Sequence, residues 1–520
     1  MKVNADKEVE LKLLIGPVAA ESIENHPFLQ QNAIAPHHSQ ILWSLYFDTP
    51  ECELRSEGLS LRVRHMGGAW VQTLKRENMP GDLLERDEWE QHIDGPQLDL
   101  PLLILEVKKS AAEVPHLLRR KSVRKRLQAL FRIEVTRTIW EIRLADGTEI
   151  ECALDRGNMV REEQNIPVLE MELELKAGTT EALFEFALRL QQHIPFSIGH
   201  MSKAARGYAL VSPAPPAAVK AGPVRLSGKM TMEQGFQAIM NSCLAQIQAN
   251  EPGIIAGQPE SLHQMRVGLR RMRSALKMTE NLLPLPAEMK VELDWLSSEL
   301  GEARDWHVFS GSTLPSVIDN EADIDDETSQ KLKALKSVAD RISREKQERV
   351  WEAVKSDRYT TLKLTLLKWL HGAGWRDHLA PKRLEKLDAA LPKFASRVMA
   401  EDQKRLLKRG GRLSKVAPAA RHRARVAAKR TRYAAEFFQS LFSRKRAERY
   451  IGALSELQDE LGTLNDSQMA GQLLDQLEKS DEVIAPGTEY AKGYFYSRVH
   501  GDHIHLKRLW KRFRPLQPPS

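Results

Sequence analysis

Two periods of hydrophobic and polar residues divide the chain into two parts. Up to about residue 210, short segments alternate apolar and polar side chains with a period of two, which is typical of β-strands with one buried face. After residue 228, nearly every segment has the period of an amphipathic helix. The pattern predicts an α+β domain followed by an all-α domain. The first part has predicted strands at 8–12, 59–64, 70–75, 86–93, 131–142, 148–155 and 169–176, and predicted helices at 108–131 and 180–194.

A linker and an internal repeat refine this organisation. Residues 211–228 hold four prolines among small residues and have no hydrophobic period, so we expect them to link domains at 1–210 and 229–515. Within the second domain, residues 263–283 resemble residues 422–442. Another pair of similar segments follows in the same order at nearly the same spacing, which predicts two repeated helical bundles.

Length and composition limit the class of protein. A chain of 520 residues exceeds what one hydrophobic core supports. No apolar run approaches the roughly 20 residues that span a bilayer, and the first residues lack the apolar segment of a signal peptide. Three distant cysteines argue against a disulfide framework or a cysteine-based zinc site. We therefore expect a cytoplasmic protein with no membrane partner.

The net charge of +7 is unevenly distributed. Residues 1–210 carry 26 basic and 32 acidic side chains, whereas residues 211–520 carry 51 basic and 38 acidic side chains. The second part is therefore strongly basic, which suggests a polyanionic partner.

Several predicted strands carry charges on one face and apolar side chains on the other. Glu170, Glu172 and Glu174 share one face of a strand, and Arg62 and Arg64 share a face of another. One explanation is an open sheet whose charged face lies in water. The other is a closed sheet whose charges line a channel, where a ligand or metal must compensate them. Because closely spaced carboxylates suit Mg²⁺ or Mn²⁺ and clustered Arg and Lys suit phosphate, this second arrangement fits a metal–polyphosphate complex.

The order of these motifs resembles the CYTH superfamily, or triphosphate tunnel metalloenzymes, over essentially all of residues 1–210. The matching pieces are E-x-E-x-K (8–12), YFDT (46–49), LRVR (61–64), TLK (73–75), R-x-E (86–88), a strand with Arg137, ALDRG (153–157), ELELK (172–176) and SKAARGY (202–208). The resemblance implies an eight-stranded antiparallel β tunnel with flanking helices. It also implies action on triphosphates with a divalent metal.

The same resemblance implies roles for individual residues. The implied metal ligands are Glu8, Glu10, Glu170, Glu172 and Glu174, with Asp155 as a further ligand or as the partner of one. The implied phosphate-binding residues are Lys12, Arg62, Arg64, Lys75, Arg86, Arg137 and Lys203. Glu170 or Glu172 is expected to act in catalysis by orienting the attacking water, and Glu88 is expected to orient a neighbouring arginine.

In the helical part, a stripe of basic residues occurs twice. The stripes consist of His263, Arg266, Arg270 and Arg273, and of His422, Arg425, Lys429 and Arg432. Each has the spacing of one helix face. A solvated face explains a single stripe, but its duplication favours a binding surface. Few aromatic residues interleave with these bases, which argues against nucleic acid as a partner.

This second part resembles the CHAD domain over about residues 225–510, which implies binding of inorganic polyphosphate in a basic groove. The two copies differ where Lys429 stands for Arg270 and where Asn465 stands for Arg304. The two copies therefore need not contribute equally.

Both resemblances together lead to one main hypothesis. The chain is expected to hydrolyse inorganic triphosphate to pyrophosphate and phosphate with Mg²⁺ or Mn²⁺, and to bind polyphosphate through its helical part, as bacterial CYTH–CHAD triphosphatases do. The alternatives are a class IV-type adenylyl cyclase, a phosphatase of thiamine triphosphate or nucleotides, and a non-catalytic polyphosphate-binding scaffold. The intact set of acidic and basic motif residues counts against the scaffold.

Overall fold

A computed structural model describes residues 9–17, 23–76, 87–109, 115–199, 201–319, 326–411, 418–480, 485–500 and 504–519. The chain divides into two compact units. The first unit consists of Met1–Pro215 with Lys355–Gly374, and the second consists of Pro216–Val354 with Trp375–Ser520. The first unit thus includes a segment that lies far from the strands in sequence. The linear domain boundaries expected above stay a prediction.

Among its described residues, the first unit is built on one antiparallel sheet of nine strands in the order β5-β4-β3-β2-β6-β7-β8-β1-β9. The strands are β1 (Glu10–Ile15), β2 (His38–Asp48), β3 (Leu59–Met66), β4 (Ala69–Arg76), β5 (Asp87–Ile93), β6 (Gln128–Arg143), β7 (Glu149–Arg161), β8 (Gln164–Ala177) and β9 (Phe196–Ile198). The expected count of eight strands is therefore wrong by one. The additional strand, β9, has only three residues, which is too short to show an alternation, and it pairs with β1.

Strand alternation separates apolar from charged side chains across the sheet. Leu61 on β3 packs in a core with Leu103 of a covering helix. On the opposite face, Arg62 is only 9% exposed, and Asp155 and Glu170 are fully buried. The charged face is therefore enclosed, which contradicts the alternative of an open sheet with its charges in water.

The described helices of the first part of the chain are short. They are α1 (Pro27–Asn32), α2 (Glu53–Ser56), α3 (Leu100–Lys109), α4 (His116–Arg119), α5 (Lys121–Arg124), α6 (Thr180–Gln191) and α7 (Lys203–Val211). The expected helix over 180–194 is present as α6, but a single helix over 108–131 is wrong. Pro115 caps the start of α4 with non-helical backbone angles. Proline interrupts a helix because it lacks an N–H donor and disfavours a helical residue before it. Strand β6 then begins at Gln128.

The rest of the described chain is helical. The helices are α8 (Met232–Ala249), α9 (Glu251–Ile255), α10 (Pro259–Thr279), α11 (Ala287–Val308), α12 (Pro315–Ile318), α13 (Asp326–Lys355), α14 (Asp357–Gly372), α15 (Pro381–Leu387), α16 (Leu391–Gly410), α17 (Pro418–Phe438), α18 (Arg444–Ser480), α19 (Ala485–His500) and α20 (Ile504–Phe513), with π-helical residues Phe309–Thr313 and 3₁₀ turns at Arg376–His378 and Gln439–Leu441. The repeated segments lie on α10 and α17 and on α11 and α18. Helix α10 packs against α8 as α17 packs against α16, so the predicted repeat of helical bundles is confirmed.

Helix α14 belongs to the first unit, where it packs against α6. Thr361 Oγ1 donates a hydrogen bond of 3.0 Å to Gln191 Oε1, and Lys368 forms an ion pair with Glu185. Contacts of this kind leave no sequence signal, so α14 could not be assigned to this unit beforehand. Within the described residues, no helix is long and apolar enough to cross a membrane.

Candidate active site and basic cluster

Strand register brings charged side chains from four neighbouring strands onto one face. Lys12 on β1 lies opposite Glu172 on β8. Glu170, also on β8, lies opposite Asp155 on β7, and Asp155 lies opposite Arg137 on β6. Opposed residues of an antiparallel sheet point to the same side. Residues that are distant in sequence therefore meet on the enclosed face.

Three carboxylates form the acidic centre of this face. One oxygen each of Asp155, Glu170 and Glu172 lies within 4.8 Å of the others. Hard divalent cations such as Mg²⁺ and Mn²⁺ prefer oxygen ligands, and carboxylates are their commonest protein donors. The donor set therefore fits the metal that the sequence implied. We call these three residues the carboxylate centre.

Two lysine ammonium groups lie among the same oxygens. Lys203 Nζ is 2.7 Å from Asp155 Oδ2 and 2.5 Å from Glu170 Oε1. It is also 2.8 Å from Glu172 Oε1. Lys12 Nζ is 3.1 Å from Glu170 Oε1 and forms an ion pair with Glu172 Oε1 as well. Two ammonium groups thus share two carboxylate oxygens.

Two guanidinium groups also hold oxygens of these carboxylates, and one of these oxygens, Asp155 Oδ2, is shared with Lys203. Arg137 donates to both oxygens of Asp155 at 2.7 Å and to Glu172 Oε2 at 2.5 Å. Arg206 donates from Nη1 to Glu170 Oε2 at 2.6 Å. Sequence reasoning missed Arg206, although it lies on α7 one turn after the lysine of the SKAARGY motif. That spacing places both side chains on the same helix face.

The network shifts the pKa values of Lys12 and Glu172 toward their charged forms. Burial by itself lowers the pKa of Lys12, but the surrounding carboxylates, led by Glu172, raise it above the ordinary value. Burial by itself raises the pKa of Glu172, but Lys12, Lys203 and Arg137 hold it well below its usual range. The contacts are therefore ion pairs at neutral pH.

A second basic group lies on β3 and β4. Arg62 Nη2 donates to Glu88 Oε1 at 3.2 Å, and Lys75 Nζ lies 2.5 Å from Glu88 Oε2. Arg64 donates from Nε to Ser44 Oγ at 3.1 Å. Burial and the neighbouring Arg62 lower the pKa of Arg64 to about 10. Arg62 and Lys75 thus share the carboxylate of Glu88, whereas Arg64 contacts a neutral hydroxyl group.

Other predicted residues of the first unit lie outside the carboxylate centre. Glu10 Oε1 contacts the ammonium of Lys12 at 3.1 Å. Glu174 forms an ion pair of 2.7 Å with the lysine two residues later. Glu8 and Arg86 lie outside the described residues.

In the second unit, the two basic stripes converge. Helices α10 and α17 pack against each other, and Lys429 lies within electrostatic range of Arg270, Arg425 and Arg266. Arg304 on α11 joins this group, although the sequence singled it out only as a difference between the copies. We define the basic cluster as His263, Arg266, Arg270, Arg304, Arg425 and Lys429.

Most members of the basic cluster form no ion pair among the described residues, although Glu260, Asp305 and Asp466 lie within electrostatic range. Four of them form no hydrogen bond or ion pair within the described part of the chain: His263, Arg270, Arg304 and Lys429. Arg266 pairs with Asp305 at 2.7 Å, and Arg425 donates to Asn465 at 2.9 Å. The cluster therefore has an excess of positive charge.

Crowding of like charges also shifts pKa values in the cluster. Burial, followed by the nearby Arg270, lowers the pKa of Lys429 to about 6. Burial, followed by Arg304, lowers the pKa of His263 to about 4. A bound anion would relieve this repulsion, because it would add negative charge to that of Glu260 and Asp466.

The other members of the stripes lie outside the basic cluster. Arg273 forms an ion pair with Asp294. Arg432 Nε lies 3.5 Å from the carboxylate of the glutamate four residues later. His422 Nδ1 lies 3.3 Å from Asn465 Oδ1. The structure thus brings together only part of each predicted stripe.

Comparison with known protein families shows which family each part of the chain matches. Residues 6–208 match the CYTH domain, and residues 238–475 match the CHAD domain. The chain is a CYTH domain followed by a CHAD domain. The family resemblance of both parts is therefore confirmed.

Individual relatives resemble each domain separately. An inorganic triphosphatase of Haemophilus influenzae is 30% identical over 206 residues, which are 40% of this chain. The match spans 55% of that relative, or about half of its length. The crystal structure of the CHAD domain from the plant Ricinus communis is 35% identical with a TM-score of 0.52, and covers 58% of this chain and 99% of that one.

Proposed function

We propose that the CYTH domain hydrolyses inorganic triphosphate to pyrophosphate and phosphate with the help of Mg²⁺ or Mn²⁺. The observation that carries the proposal is the carboxylate centre, which shares one enclosed face with the second basic group. Carboxylates suit the cation, and Arg62, Arg64 and Lys75 suit phosphate oxygens. Similarity to an inorganic triphosphatase supports the choice of substrate.

The residues of the chain divide between cation and phosphate. Asp155, Glu170 and Glu172 would hold the cation, which when bound neutralises phosphate charge and lowers the pKa of the attacking water. The guanidinium forks of Arg62 and Arg64 match pairs of phosphate oxygens. Because the guanidinium groups of Arg62 and Arg64 are already fixed by hydrogen bonds, they need little reorganisation in the transition state.

Two further roles complete the proposed site. Lys12, Arg137 and Lys203 are proposed to contact phosphate oxygens once the substrate is bound. Glu170 or Glu172 would orient the attacking water by accepting its hydrogen bond. Glu8, Glu10, Glu174 and Arg86 keep the roles that the motif match implies, as predictions.

We further propose that the CHAD domain binds inorganic polyphosphate. The supporting observation is the basic cluster, in which Arg270 and Arg304 form no ion pair among the described residues. Few aromatic residues interleave with the basic positions in the sequence, which favours polyphosphate over nucleic acid. A cytoplasmic location stays a prediction.

One assay tests the proposed reaction against its alternatives. Phosphate release is measured from triphosphate, ATP and thiamine triphosphate, each with Mg²⁺, with Mn²⁺ and with a chelator. Metal-dependent release from triphosphate above the other substrates is the expected result. Formation of cyclic AMP from ATP would favour the cyclase instead, and no release from any substrate would favour a binding scaffold.

A further inference from the structure

The lysines of the tunnel occupy the positions where cations would bind. Lys203 Nζ lies within 2.8 Å of one oxygen from each member of the carboxylate centre. A Mg²⁺ ion would need to lie about 2.0–2.1 Å from such oxygens. An ammonium group and a divalent cation cannot both occupy this small volume, because their charges repel at contact distance. A cation can enter only if the lysine leaves.

Lys12 stands in the same relation to a second set of oxygens. Its Nζ contacts Glu10, Glu170 and Glu172, and the last two also contact Lys203. Two cationic positions therefore share two bridging carboxylates. On Glu172 and Glu170, Arg137 and Arg206 hold the oxygens opposite to those that the lysines contact. On Asp155, Arg137 shares Oδ2 with Lys203.

The charges of this network balance. Its members are four carboxylates, Glu10, Asp155, Glu170 and Glu172, and four cations, Lys12, Arg137, Lys203 and Arg206. A divalent cation bound alone would leave an enclosed site with excess positive charge. A triphosphate bound alone would leave it with excess negative charge. Either excess of charge is costly in a site that is enclosed from water. When the cation and the triphosphate bind together, their opposite charges cancel most of the excess.

We propose that Lys12 and Lys203 couple cation binding to triphosphate binding, each moving from the carboxylates to phosphate oxygens as a divalent cation takes its place. This inference rests on the proposed triphosphatase function. Each ligand then strengthens the binding of the other by the same factor, because the coupling between two bound ligands is reciprocal.

The unmodified protein provides the first test. Binding of Mn²⁺ is measured by electron paramagnetic resonance, alone and with a triphosphate analogue whose bridging oxygens are replaced by imido groups. After correction for Mn²⁺ held by free analogue, we expect binding to be roughly tenfold tighter or more with the analogue. Binding of the analogue should tighten equally when Mn²⁺ is added. Equal Mn²⁺ affinity with and without the analogue would overturn the inference.

Lys203→Met provides the second test, because it removes the competing ammonium but keeps most of the side-chain volume. We expect this variant to bind Mn²⁺ alone roughly tenfold more tightly than the unmodified protein, with a smaller effect of the analogue. A merely structural role of Lys203 predicts the opposite, a weaker Mn²⁺ site. The matched control is Lys109→Met, which removes an exposed lysine that is ion-paired with Glu106 on α3. Its Mn²⁺ affinity should be unchanged.

The outcomes separate this inference from the proposed function. If the protein neither binds Mn²⁺ nor releases phosphate from triphosphate, the proposed function fails. If it is an active, Mn²⁺-binding triphosphatase and Lys203→Met does not tighten Mn²⁺ binding, only the coupling inference fails. Should Lys203→Met not fold, as judged by circular dichroism, the test on the unmodified protein still decides.

Discussion

Most enclosed basic side chains are paired with carboxylates in the CYTH domain, whereas several of those in the CHAD domain are unpaired among the described residues. In the CYTH domain, the ammonium of Lys203 contacts three carboxylates, and its neighbours in the network are paired as well. In the CHAD domain, Arg270 and Lys429 have no hydrogen-bond or ion-pair partner among the described residues. A paired network is largely compensated, whereas an unpaired cluster is held at a cost in stability.

This difference indicates two kinds of ligand. A balanced network gains little from an anion alone, so it suits a cation and an anion that arrive together. A cluster with excess positive charge gains from an anion directly. The CYTH site is therefore expected to depend on metal, and the CHAD site is expected to bind its anion without one.

Removal of metal should separate the two sites most strongly. With a chelator in excess, we expect phosphate release from triphosphate to fall to background, because the substrate charge is no longer neutralised. Binding of long-chain polyphosphate should stay unchanged under the same conditions, as followed by fluorescence anisotropy of a labelled polymer. Loss of polyphosphate binding in the presence of the chelator would mean that the CHAD site also depends on metal.

Neutralisation of one carboxylate should have the next largest effect. Glu172→Gln removes a charge that three cations share and leaves them without that partner. We expect phosphate release from triphosphate to fall by more than about 100-fold, in the range seen when one charged or hydrogen-bonding group of an active site is lost. The measurement is the steady-state rate at saturating Mg²⁺.

Two controls keep this result interpretable. Glu149→Gln changes an exposed carboxylate on the same sheet, paired with Arg143 at the surface, and should leave the rate unchanged. Circular dichroism shows whether Glu172→Gln still folds, since breaking a buried ion pair costs about 3–5 kcal/mol. A folded Glu172→Gln variant that keeps its activity would remove Glu172 from the proposed machinery.

The sequence predicts the architecture of both domains better than it predicts which residues belong to each site. Alternation finds seven of the strands because one face of each is buried, and it fails for β9 because three residues are too few to show a period. It also missed β2, although burial alternates over the second half of that strand. The helix expected over 108–131 fails because Pro115 outweighs the helical preference of its neighbours. These are local effects, and both Pro115 and the alternation of β2 were readable in advance.

Site membership depends on tertiary contacts, which sequence spacing only constrains. Spacing placed Arg273 on the same stripe as Arg270, but an ion pair with Asp294 holds Arg273 outside the basic cluster. Conversely, Arg206 carried a readable signal, one helical turn after Lys203, that the motif match did not use. Strand register did most to assemble the CYTH site, since it fixes which carboxylates face each other.

Arg270 offers a test of the CHAD site that leaves the CYTH site intact. Arg270→Gln removes an unpaired charge, and we expect polyphosphate to bind roughly 10–100-fold more weakly, the range for one lost hydrogen bond to a charged group. The matched control is Arg273→Gln, one turn further along α10, which loses an ion pair outside the basic cluster and should bind normally. Equal weakening in both variants would indicate non-specific charge attraction. Anisotropy at fixed ionic strength measures both.

Lys429 should make polyphosphate binding depend on pH. It is surrounded by Arg270 and Arg266 of α10 and by Arg425 of its own helix, with Asp466 of α18 as the opposing charge. The pKa of Lys429 is lowered to about 6, so this side chain is mostly uncharged above that pH. A bound polyanion would raise the pKa of Lys429 and thereby gain a further cation as its partner. We expect polyphosphate to bind more tightly at pH 5 than at pH 8. The gain is up to about tenfold for each unit by which the bound polyanion raises the pKa of Lys429. Lys429→Arg should bind with little pH dependence, since arginine does not titrate there.

The same lysine should lower the stability of the free protein, because its surroundings keep it mostly uncharged at neutral pH, and this is the smallest expected effect. The pKa of Lys429 lies near 6 when folded and at the ordinary value of 10.5 when unfolded, so between these values the unfolded chain binds more protons. Stability should therefore rise with pH across this window. Lys429→Met should remove that contribution and raise the melting temperature at pH 7 while weakening polyphosphate binding. A lower melting temperature in that variant would mean that Lys429 is already compensated within the fold, and the contrast between the two domains would fail at its central residue.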